Sequence, residues 1–145
     1  MVQTAIDPIT EAEIWLRATL KASPDVVDVF EDKITTHPGP RALGYPILTL
    51  FCLTPENDLM LVGTDIFWAE LRFIVRGIVE GDDRLILRPG VVAVQEALHG
   101  KYGYTDNAYI VSCTRIRPFS MHEMADSKDY YHLGAEYNIK IRPRN

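Results

Sequence analysis

The stretch from Tyr130 to Arg142 alternates without a break. Tyr131, Leu133, Ala135, Tyr137, Ile139 and Ile141 share one parity; Tyr130, His132, Gly134, Glu136, Asn138, Lys140 and Arg142 share the other. Strand side chains point to opposite sides with a period of two, whereas a helix gathers one face with a period of 3.6. The pattern therefore predicts a closing strand with one row in the core and the other row in water. A histidine and three tyrosines within "DYYHLGAEYNIKIRP" invite an active-site reading, but the alternation already accounts for their spacing.

The rest of the chain is read against that strand. Thr10 and Glu13 have capping-box spacing and open a helix that runs to about Lys21, with Ile14, Trp15, Ala18 and Leu20 on its apolar side. Ser23 and Pro24 suit the start of a second short helix carrying Val26, Val27, Val29 and Phe30. The Pro- and Gly-rich stretch 36–46 reads as a loop, residues 45–54 as a strand covered on both sides, and residues 55–63 as a turn. The segment 64–83 fits a helix or a strand. The strand places Phe67, Ala69, Leu71, Phe73, Val75 and Val79 opposite Glu70, Arg72, Arg76 and Glu80, which separates charge better. From Asp65 to Glu80 it would span roughly 50 Å at about 3.3 Å per residue. Such a strand either bends at a bulge near Gly77 or projects beyond the domain.

Residues 88–103 read as a helix on which Val91, Val94, Gln95 and Leu98 trace one face, ending at Gly100. "RLIL", 84–87, extends or bridges into it, after an acidic turn at Asp82–Asp83. Residues 107–119 read as a strand stopped by Pro118, and 120–129 as a polar connection. The expected fold is α+β: one domain over residues 1–145, in which an antiparallel or mixed sheet of about four strands carries helices on one face, in the order α-β-β-α-β-β.

Composition bounds the function. A chain of 145 residues that is 47% hydrophobic supports a real core. The net charge of −5 argues mildly against nucleic-acid binding as its main task. The charge is uneven: residues 1–34 hold seven acids and three bases, residues 115–145 four acids and six bases, which would suit head-to-tail association. "MVQTAIDPITEAEIW" lacks the basic start and apolar stretch of a signal peptide, and no apolar run approaches about 20 residues. Folding in a cytoplasm is expected. Cys52 and Cys113 each sit in an apolar run and read as free buried thiols, with a bridge between them left open.

Catalytic patterns are scarce. His37, His99, His122 and His132 match no zinc signature, even when His122, Glu123, Asp126 and His132 are taken together. There is no G-x-S-x-G elbow and no phosphate-cradling loop. No metal or cofactor is expected. An enzyme would have to use His132 or His122 as acid–base. A nucleic-acid module would need aromatics stacked beside basic residues, for which only Tyr130 and Tyr131 offer themselves. What remains is a sheet face of mixed charge. Arg115 and Arg117 are assigned to one side of a strand, and Arg72 and Arg76 to one side of another. With Tyr130 and His132 they form the candidate protein interface, since Arg and Tyr are favoured at such surfaces.

An amphipathic helix followed by "HPGPRALGYPIL", then "WAELRFIVRG", "VQEALHG", "VSCTRIRP" and a final "YYHLGAEYNIKI" resembles the tail-terminator, or tail-completion, proteins of long-tailed bacteriophages. The resemblance extends over most of the chain. It implies an assembly protein without catalysis, one that forms a ring, commonly a hexamer, on the head-proximal end of the tail tube. Its implied partners are its own copies, the tail tube protein and the head–tail connector protein, with DNA only as cargo passing through the bore. Its implied place is the tail or neck of a virion assembled in a host cytoplasm. A head-closure or adaptor ring of the same neck is the neighbouring possibility.

Overall fold

The computed structural model describes residues 7–36, 44–53, 59–62, 66–81 and 84–144. The chain forms α1 (Pro8–Lys21), α2 (Pro24–Phe30), β1 (Ile34–Thr35), β2 (Ile47–Cys52), β3 (Leu59–Val62), β4 (Ile66–Glu80), α3 (Leu87–Leu98), β5 (Lys101–Tyr104), β6 (Ala108–Ala125) and β7 (Lys128–Pro143). The fold is α+β. The strands run in the order β1-β2-β4-β7-β6-β5, with β3 alongside the start of β4. β1 pairs in parallel with β2 and every other pairing is antiparallel, so the sheet is mixed.

The two alternating segments meet at the centre. β4 and β7 pair from Ala69 opposite Ile141 to Glu80 opposite Tyr130. This puts Leu71, Phe73 and Val75 beside Ile139, Tyr137 and Ala135 on one face, all nearly fully buried. Leu48 and Leu50 of β2 and Ile110 and Cys113 of β6 continue that apolar row, and the helices cover it. The strand assignment made for 64–83 holds over Ile66–Glu80. The bulge expected near Gly77 does not occur: β4 keeps one register against both β2 and β7 there. Gly77 instead makes room, because a Cβ on it would lie 2.9 Å from the Phe30 ring. That ring, reaching down from α2, also presses on Gly90 at the start of α3.

The helix ends correct the capping assignment. Asp7, not Thr10, caps α1: its carboxylate accepts from the N–H groups of Ile9 and Thr10 at 3.1 and 3.3 Å. Pro8 occupies the first turn, where its missing N–H costs nothing. Ser23 caps α2 as expected, accepting from Val26 N–H at 3.4 Å. A 3-10 turn, Arg84–Ile86, bridges into α3. Gly90 and Ala93 join Val94 and Leu98 on the buried side of α3, while Gln95 faces water. Gly100, with φ +75°, turns the chain out of the helix, and residues 101–104 form β5 rather than continuing α3.

The sheet has seven strands against about four expected. β3 lies within the stretch assigned as a turn; the rest of that turn, most of the 36–46 loop with His37, Asp65 and Asp82–Asp83 lie outside the described residues. The largest correction concerns Pro118. β6 does not stop there but runs to Ala125, turns through Asp126 and Ser127 at φ 52° and 63°, and returns as β7. Two positive φ values in a two-residue loop are the type I′ geometry that matches strand twist. Pro118 is tolerated because β5 ends its pairing at Cys113, leaving the outer side of β6 beyond that point without a strand among the described residues. Cys52 and Cys113 are free. They lie three strands apart, roughly 14 Å at about 4.8 Å per strand, too far for a disulfide. Burial pushes the Cys113 thiol up to about 12.

Gly134 is the tightest point of the central pairing. It faces Arg76, and a Cβ placed on it would fall 2.0 Å from the Val75 carbonyl oxygen and 2.6 Å from the Arg76 Cα. Backbone atoms cannot swing aside as a side-chain tip can. Gly134→Ala is therefore expected to cost about 3 kcal/mol or more in chemical denaturation. Unchanged stability would show that the strands do not approach this closely.

Candidate protein interface

The face of the sheet away from the helices was expected to be wet along β7. Lys140 is exposed there, but the Tyr130–Glu136 end of the row is covered. Tyr130, His132 and Glu136 are 8%, 4% and 7% exposed. The cover comes from the sheet's own long side chains. Arg117 of β6 stands opposite Glu136 and donates through Nε to its carboxylate at 2.5 Å. Phe119, opposite Gly134, lies under the Arg76 guanidinium, 5.6 Å from its ring centroid. Glu123 meets His132 Nε2 at 3.2 Å. Tyr45, just before β2, packs on Tyr130 with centroids 5.4 Å apart. Asn138 donates to Glu70 at 2.6 Å. Side chains from β4 and β6 thus fold inward over β7 and pair in part with one another, while Arg76 Nε, His132 Nδ1 and Asn138 Oδ1 are buried without a hydrogen-bond partner.

Five of the six candidate residues share this face: Arg72 opposite Asn138, Arg76 opposite Gly134, Arg117 opposite Glu136, and Tyr130 and His132 on β7 itself. Arg115 is separated from them. The register slips between Arg115 and Arg117, with Ile116 as the extra residue, so Arg115 pairs with Tyr137 on the helix side. There its backbone N–H donates to His99 Nδ1 at 3.0 Å. The expectation that Arg115 and Arg117 lie on one side therefore fails, because a bulge inverts parity. Nor are these residues a free contact set. Arg117 is committed to the nearly buried Glu136, and burial lowers the Arg76 guanidinium from its ordinary value, partly offset by Glu123.

The two histidines considered for acid–base work are on opposite faces. His122 stacks on Tyr131 on the helix side, with centroids 4.6 Å apart, and pairs with Asp129 at 2.8 Å. His132 lies on the other side between Met121 and Ile78. Among the described residues no group of three or more His, Cys, Asp or Glu gathers as a metal set. At 4% exposure the His132 ring is out of reach of a substrate unless its cover moves.

The exposed chemistry lies at the sheet edges instead. At the β5 end, Arg144, Tyr104, Tyr109 and Arg142 form a ladder: guanidinium to ring 4.9 Å, ring to ring 4.7 Å, ring to guanidinium 4.9 Å. Glu11 of α1 ties down the turn beside it, accepting from Thr105 Oγ1 at 2.6 Å and Asn107 Nδ2 at 3.1 Å. Sequence reading passed over this ladder, although the tyrosines flanking the "TDNA" turn and the basic end "IRPR" were visible. On β6 beyond its pairing with β5, Ile116, Met121 and Met124 are exposed.

Burial is the main cause holding the His132 imidazole below its ordinary value, reinforced by nearby Arg76 and opposed by Glu123. Between the lowered folded-state value and the ordinary value of about 6.5, the unfolded chain binds more protons than the folded one. Stability is therefore expected to fall as pH drops below about 6.5. His132→Gln should flatten that part of a melting-temperature profile; an unchanged slope would exclude His132 as its source.

No protein-family model matches the chain, and no curated protein matches it. Among solved structures, a chain described as belonging to the "Virion of native gene transfer agent (GTA) particle" aligns with a TM-score of 0.70 at 16% identity, covering 94% of this chain and 99% of that one. The likeness therefore spans both chains almost end to end, and it is a likeness of fold.

Proposed function

We propose that this chain is a non-enzymatic structural protein of a phage-like virion and, more finely, a tail terminator. Copies form a ring on the head-proximal end of the tail tube, end its growth and present the docking surface for the head connector. The observation that carries this reading is the shared fold with a chain of a gene transfer agent virion over nearly the whole of both chains. Two further features support it. Several polar groups of the sheet's second face pair with one another, and its histidine is covered. The exposed aromatic and basic residues lie at a sheet edge, where a repeated heterologous contact between copies is geometrically natural. Capping then needs one ring face that matches the last ring of the tube and another that does not repeat it.

Removing the gene from its particle-producing genome tests the reading. Overlong tails are the expected result. Normal tails beside leaking heads would instead assign the chain to a neck adaptor ring, and intact functional particles would overturn a virion role.

A further inference from the structure

We infer that the contact between copies in such a ring joins the two opposite ends of the sheet, the acidic β1 end of one copy meeting the basic β5 end of the next. This rests on the ring reading above. β1 and β5 terminate the strand order, five strand spacings apart, or about 24 Å along the sheet at about 4.8 Å each.

The chemistry of the two ends differs in sign. Asp28 on the last turn of α2, with Glu31 and Asp32 just before β1, are all exposed, with the half-buried Lys33 beside them. At the other end Lys101, Tyr104 and Arg144 are exposed, with Arg142 beneath them in the ladder; the acids nearby are Asp106 and the hydrogen-bonded Glu11 at the turn, and Asp25 and Glu96, which share a groove with Lys101, so the basic surface is centred on the ladder. The ladder braces its guanidinium groups against aromatic rings, so little side-chain freedom is lost when a carboxylate arrives. Arg and Tyr are also the residues that most often carry interface energy.

A second copy is the favoured occupant because both complementary surfaces are on this chain and at opposite ends. Each copy can then use its basic end on one neighbour and its acidic end on the other. That arrangement is heterologous and closes into a ring when the rotation per copy permits.

Two charge-reversed variants test this, Asp28→Lys with Asp32→Lys, and Lys101→Glu with Arg144→Glu, with assembly read by solution mass. Each variant alone is expected to self-associate about tenfold more weakly or worse, since like charges then face each other. An equimolar mixture should recover assembly, because every altered end finds an opposite end on the other variant. Either variant assembling alone like the unmodified chain would overturn the inference. So would a mixture that fails to recover while both variants keep the unmodified melting temperature. A salt series on the unmodified chain is independent of variant folding. From about 0.01 M to about 1 M salt the screening length falls from about 30 Å to about 3 Å, and association should weaken about tenfold or more. Salt-insensitive association would overturn the inference. An unmodified chain that stays monomeric throughout would overturn the ring reading itself.

Discussion

The pairing of β4 with β7 is the constraint on which the rest of the molecule depends. Each strand is apolar on one parity and polar on the other, and the observed register brings the two apolar rows onto one face. A slip of one residue would turn Tyr137, Ile139 and Ile141 toward the face that carries Glu136 and Lys140. The close approach at Gly134 tightens the joint, since no side chain larger than hydrogen fits against the β4 backbone there. The helices pack on the row this register creates, and Phe30 seats itself where Gly77 and Gly90 leave space.

The same register decides the fate of the second face. Because β4 and β6 flank β7 throughout, their long side chains are within reach of β7 and of each other. Arg117 finds Glu136, Glu123 finds His132, and Arg76 lies over Phe119. Much of that face is taken up by internal pairing, while Arg117 and Lys140 keep exposed surface. Also left outward is the rim: β6 beyond its pairing with β5, the tyrosine–arginine ladder, and the acidic approach to β1. That suits the proposed assembly role, with a largely self-paired sheet carrying contact chemistry at its borders.

Periodicity made β7 and β4 legible, because an unbroken alternation of a dozen residues has only one regular conformation that uses it. The cap at Ser23 and the stop at Gly100 were legible for local reasons, a hydroxyl before a first-turn proline and a residue free to take positive φ. Other features misled where a local rule met a non-local condition. Pro118 breaks a strand only if its missing N–H was needed, and the open outer side of β6 removes that need. β5 was hidden because "KYGY" follows directly on a strong helix and is held by pairing with β6 rather than by its own pattern. Among the candidate interface residues, parity placed Arg72, Arg76, Tyr130 and His132 correctly on one face. It failed for Arg115 because a bulge is a property of two strands together.

The sequence by itself determined which rows of side chains had to be buried and that helices had to cover a sheet, because alternation and helical spacing are properties of consecutive residues. Tertiary structure alone decided that Tyr130, His132 and Glu136 of the row expected to be wet would be covered, and that His122 and His132 would be parted by the thickness of the sheet. Those outcomes depend on which strands become neighbours, and neighbours distant in sequence set solvation and electrostatics.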